Sequence, residues 1–311
     1  MKTKFVGWAL AHRPHMVEQS PTLQCSMPQG HSFTRILFVV LLIVFVCLVI
    51  LVVMPHHHPP DGNLREKAQL KSIDTVLELF KSEFDDYPPS DALDQDSTPY
   101  CGAMKLCEAM MGKDLMGVHP KSVFRSDGTD GEGKTLYPDS NSLSAEAYRA
   151  NLSIRKGPYL PPENANAYSL ADLYGEGNTG PFAPKHFVIC DVFKRVKHRR
   201  TGKKVGMPIL YYRADISKTA HDVNDPNNPE NIYDYRDNQA LLALGVPGKP
   251  GQKHPLFENP KIFYEMTRDY KSTKVGRPVR ADTYILLSAG KDGLYGTKDD
   301  IPNFAMQWKP K

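Results

Sequence analysis

The sequence predicts an α+β domain carried behind a single membrane-spanning helix, and three observations predict it. Residues 36–54 read ILFVVLLIVFVCLVILVVM, an uninterrupted apolar run. Residues 64–84 place Ile73, Val76, Leu77, Phe80 and Phe84 at three- and four-residue steps, the period of a helix with one buried face. Short β-branched or aromatic stretches bounded by turn residues follow at 186–193, 208–214 and 284–288, which read as a small antiparallel sheet.

The apolar run contains no charge, glycine or proline. At 1.5 Å per residue it reaches about 28 Å, the thickness of a bilayer's hydrocarbon core. Pro55 and three histidines follow it instead of the small residues of a signal-peptide cleavage site. Lys2, Lys4, Arg13 and Arg35 precede it against Glu18 alone, so the positive-inside rule holds the N-terminus in the cytoplasm and exports the rest. The organisation expected is a cytoplasmic tail at 1–35, a transmembrane helix at 36–54, a Pro- and His-rich linker at 55–63 and an extracytoplasmic domain at 64–311.

Within that domain the first helix is stopped by Tyr87, Pro88 and Pro89. A second helical stretch, 101–116, carries Met104, Leu106, Met110, Met111 and Leu115, a stripe suited to core packing. Residues 124–180 are rich in Gly, Asn, Ser and Pro and read as a large loop insertion. Two acidic loops in the chain, 126–133 and 222–237, imitate calcium loops in composition. Both lack the twelve-residue register of an EF-hand and read as solvated turns.

With 41% hydrophobic and 24% charged residues, composition is that of a globular chain, and 26 prolines with 22 glycines imply many turns. The dense basic run of 194–204 has no interleaved aromatics and belongs to no recognised nucleic-acid motif, so it reads as a solvated hairpin face and nucleic acid is excluded as a partner. The five cysteines show no metal spacing. On one continuous helix Cys101 and Cys107 would lie about 9 Å apart along the axis, too far for a disulfide, while Cys190 stays open to pairing with either. No nucleophile elbow, phosphate-binding glycine loop, HExxH, paired CxxC or dinucleotide fingerprint occurs, so no catalytic residue is assigned. Isolated His186, His198, His221 and His254 read as surface or turn residues.

The segment YILLSAGKDGLYGTKDDIPNF, residues 284–304, has the form YxLxSxGxDGxxGTxDDIxNF. It resembles the C-terminal loop of the major pseudopilin of type II secretion systems. The helix closing on Tyr87 and Pro88, the segment running from Gly206 to Tyr212 and the Phe33-Thr34-Arg35 start before the apolar run are similar to that family too. The resemblance implies a pseudopilin-like α+β domain with large loop insertions. It implies a structural calcium ion held by Asp292, Asp299 and Asp300 with Ser288 and the backbone of Leu286, and a processing point between Ser32 and Phe33. It also implies a non-enzymatic subunit of a type II secretion or pilus-like system. Such a chain sits in the bacterial inner membrane with a periplasmic domain, partnered by other subunits or by further copies of itself. Leu37 stands where the family carries a glutamate used in filament register, and Ser32 where it carries glycine. An alternative is therefore a membrane-anchored extracytoplasmic binding protein that uses the domain without assembling.

Overall fold

The computed structural model describes residues 37–46, 61–161, 165–194, 196–271 and 276–308. The chain divides into two units, Met1–His58 and Pro59–Lys311. Of the first, residues 37–46 form helix α1, whose apolar side chains are exposed, Phe38 by 77%. Among the described residues no helix is long and apolar enough to cross a membrane. The remainder of the expected 36–54 span lies outside them, as do Ser32 and Phe33.

The second unit opens with α2, Gly62–Phe84, two residues earlier than its hydrophobic period marks and inside the expected linker. Asp61 supplies the reason, because its side chain accepts from the Asn63 amide and caps the first turn. Leu70, Ile73, Val76, Leu77 and Phe80 face inward, and Asp85 ends the helix with a positive φ of 67°. Helix α3, Gly102–Met111, has all ten residues buried. It stops short of the expected 101–116. Gly112, at φ 81°, turns the chain so tightly that a Cβ there would lie 2.0 Å from the Gly117 carbonyl oxygen. A glycine is required at that reversal.

The loop-rich segment is partly ordered by α4, Ala145–Ser153, then β1, Ala167–Ser169, and α5, Leu170–Tyr174. Strand β1 pairs antiparallel with β2, Phe187–Ile189. The basic run folds as the hairpin of β3, Val196–Lys197, and β4, Lys204–Val205. Next come β5, Leu210–Arg213, then α6, Gln239–Leu242, α7, Pro255–Glu258, and α8, Lys261–Thr267. Strand β6, Tyr284–Ser288, runs antiparallel between β5 and β7, Ile301–Pro302, with Leu210 opposite Leu287 and Ser288 opposite Ile301. The α+β class is as expected, but the single sheet resolves into three separate small ones.

Their common core surrounds α3. Tyr211, Tyr233, Tyr264, Tyr284 and Tyr295 are all fully buried, and each phenol finds an acceptor. Tyr211 donates to the Pro88 carbonyl at 2.7 Å and Tyr284 to Asp74 Oδ1 at 3.0 Å, which ties the sheet to the Tyr-Pro corner and to the middle of α2. Cys101, Cys107 and Cys190 are free and buried, and burial pushes the Cys101 thiol up to about 12.

Candidate metal site

Strand β6 is buried along its whole length, and the chain leaves it through Ala289 and Gly290 into a turn that returns as β7. Gly290 has φ 60°, and a Cβ on it would stand 1.8 Å from the Asp299 carbonyl oxygen. Only glycine lets the start and end of the loop touch. The loop is thereby closed on itself, and it carries Asp292, Asp299 and Asp300, the first and second of which act by charge on the third.

The three carboxylates have different surroundings. Asp292 is committed at both oxygens, accepting from the Leu294 amide at 2.8 Å and the Thr297 hydroxyl at 2.8 Å. Asp300 is 6% exposed; its Oδ2 accepts from the Gly296 amide at 2.7 Å, while Oδ1 is buried with no donor. Burial raises the Asp300 carboxyl well above the usual carboxylate range, and the charges of Asp292 and Asp299 add to the shift. Asp299 is half-buried beside Lys67, Lys291 and Lys298. An oxygen that is buried, acidic and without a donor is the kind of group a hard cation satisfies. Among the described residues, however, no three His, Cys, Asp or Glu side chains are grouped so as to hold a metal ion.

Ser288 and Leu286 are turned to other partners. The Ser288 hydroxyl donates to Asp191 Oδ2 at 3.2 Å and accepts from the Gly290 amide at 3.2 Å. Leu286 donates its amide to Asn303 Oδ1 at 3.0 Å, and its carbonyl accepts from the Asn303 amide at 3.2 Å.

Beneath Ser288 lies a pair of carboxyls that the sequence reading missed. Glu66 is fully buried; Oε2 accepts from the Val192 amide at 2.9 Å and Oε1 has no partner. Burial pushes its carboxyl up to about 7. Asp191, 2% exposed, is also raised, first by burial and then by Glu66, although its Oδ1 accepts from the Phe193 and Met207 amides. The signal was in the helix period, since Glu66 precedes Leu70 and Ile73 by four and seven residues and so shares their buried face.

The histidines expected at the surface are buried instead. His186, His221 and His254 are each no more than 4% exposed, and burial lowers all three to about 4, so they are neutral. Each is fixed by the backbone: His186 to the Ser126 carbonyl, His221 to the Tyr264 carbonyl, and His254 through the Tyr295 amide. The 126–133 loop is held by Asp130, 6% exposed, which accepts from the Glu132 and Lys134 amides. It is a self-satisfied turn.

No family model, curated protein or solved structure matches the chain.

Proposed function

We propose that the chain is a pseudopilin-like, non-enzymatic subunit of a type II secretion or pilus-like system, anchored in the bacterial inner membrane by the 36–54 segment and carrying a structural calcium loop between β6 and β7. The observation that supports it best is the donor-less, buried Oδ1 of Asp300 inside a loop closed at Gly290, at the C-terminal edge of a sheet on which a long N-terminal helix lies. A bound calcium ion would supply positive charge to a cluster that now contains repelling carboxylates. Asp300 and Asp299 would hold it, with Asp292 turning from Thr297 to join them.

The test is thermal unfolding of the full chain in detergent, with millimolar calcium and with a chelator. Binding to the native state alone adds about 2.7 kcal/mol at a hundredfold excess over Kd. Calcium should therefore raise the transition of the native chain and leave Asp300→Asn unmoved. Superimposable melts of the native chain in calcium and chelator would dispose of the site.

A second reading has one feature in its favour, Leu37 in place of the register glutamate. A binding protein anchored by an unprocessed helix would keep its original N-terminus. N-terminal sequencing of the protein from its own membrane separates the two, since a subunit processed for assembly begins at Phe33.

A further inference from the structure

Three contacts fix the direction of the chain that leads into the basic hairpin. Gln69 of α2 donates to the Cys190 carbonyl at 2.9 Å, Glu66 accepts from the Val192 amide, and a Cβ on Gly62 would meet the Phe193 ring at 2.8 Å. As the numbering falls along α2 it rises along the partner segment, so residues 190–193 run up the helix to its N-terminal end. The next residues are Lys194 and the β3–β4 hairpin. Lys194, Lys197, Lys203 and Lys204 are all exposed, whereas Val196 and Val205 point inward. Residues 194–204 hold seven Lys and Arg and no acid. Arg200 and His198 turn to Asp172, at 3.2 and 3.5 Å, but among the described residues those four lysines form no ion pair. From the other side the β6–β7 loop brings Lys291 and Lys298 against Asn63 and Lys67. The segment that leads into the basic hairpin and the β6–β7 loop, about ninety residues apart in the chain, thus both reach the same end of α2, where Asp299 and Asp300 are the acids beside Lys67, Lys291 and Lys298.

That end is also where the chain arrives from the apolar segment. Residues 55–61 separate Met54 from Gly62, and seven residues span at most about 25 Å even when fully extended. We propose that this cationic end of the domain lies on the anionic lipid headgroups of the anchoring membrane, with the hairpin lysines and Lys67, Lys291 and Lys298 as its contact points. The inference rests on the reading of residues 36–54 as a membrane anchor. Attraction between a basic surface and anionic lipid falls off within a Debye length, about 8 Å at physiological salt, so contact must be close and salt-sensitive. An acidic protein could offer similar charge, but the short covalent tether presents lipid first.

The test uses the full chain reconstituted into phosphatidylcholine vesicles with and without phosphatidylglycerol, treated with a membrane-impermeant amine-acetylating reagent and read lysine by lysine. Lys194, Lys197 and Lys203 should be acetylated about tenfold more slowly in the anionic vesicles, and high salt should abolish the difference. Lys81, about 28 Å along α2 from Gly62, should be labelled equally in both. The double variant Lys203→Glu with Lys204→Glu should lose the protection at Lys194 and Lys197 while remaining inserted. A chain inserted in both vesicle types but labelled identically overturns the proposal alone, as does protection that appears only when an acidic protein is added. A chain stripped from both by an alkaline wash overturns the anchoring reading, and the proposal with it.

Discussion

Glu66 carries a pH dependence that can be read directly. Its folded pKa of about 7 exceeds the ordinary value of 4.5, so its contribution is fully present below pH 4.5 and is lost as pH rises through 7. His186, His221 and His254 act in the opposite sense, because their lowered values make stability fall as pH drops from about 6.5 to 4. A difference measurement isolates the acid. Glu66→Gln mimics the protonated carboxyl, and its stability relative to the native chain should improve by about 3 kcal/mol between pH 4 and pH 8 in denaturant titrations. A gap that does not change with pH would mean that Glu66 ionises normally. The glycines provide a second residue-scale test. A Cβ on Gly102 would stand 2.2 Å from the Tyr211 carbonyl oxygen, a backbone atom with nowhere to go, whereas one on Gly131 meets nothing within 4 Å. Gly102→Ala should lower stability by about 2–3 kcal/mol and Gly131→Ala by less than about 0.5 kcal/mol. Equal effects would mean that α3 does not approach β5 as described.

At the scale of elements, α2 is read correctly because its period is set by a single buried face that stays on one side for six turns. Leu77 lies on that face with no exposure, while Leu79, two residues on, is 45% exposed. Leu77→Ala should therefore cost about 2–5 kcal/mol by lost burial and a residual cavity, and Leu79→Ala less than about 1 kcal/mol. Comparable losses in urea unfolding would place α2 in a different rotation. Helix α3 is the opposite case. Every residue is buried, Lys105 and Glu108 included, so it has no wet face and its stripe carries no information about orientation. Its charges are met by distant partners: Lys105 Nζ donates to the Asp91 and Leu93 carbonyls, and Glu108 accepts from Tyr100, Ser122 and Tyr137. No local pattern announces such an arrangement.

At the scale of the molecule, the entire core cluster lies between Leu70 and Ile301, inside the second unit. A fragment beginning at Asp61, which keeps the α2 cap, should fold alone and unfold in one cooperative transition with near-ultraviolet dichroism from its buried tyrosines. A fragment without that signal would show that the unit depends on what precedes it. The sequence by itself determined what is written in local periods and in turn chemistry. The apolar run, the α2 face, β6 and the glycine-punctuated loop with Asp292, Asp299 and Asp300 are of this kind, because each is specified by residues within a few positions of one another. Only the tertiary structure decided that Ser288 turns to Asp191, that Glu66 faces a second carboxyl, that His186, His198, His221 and His254 are buried and that the segment leading into the basic hairpin reaches the same end of α2 as Lys291 and Lys298. Those facts depend on contacts between positions far apart in the sequence, 41 residues for His254 with Tyr295, 97 for Ser288 with Asp191 and 121 for Gln69 with Cys190. Burial and electrostatic environment are properties of the packed chain, so they cannot be read until the packing that creates them exists.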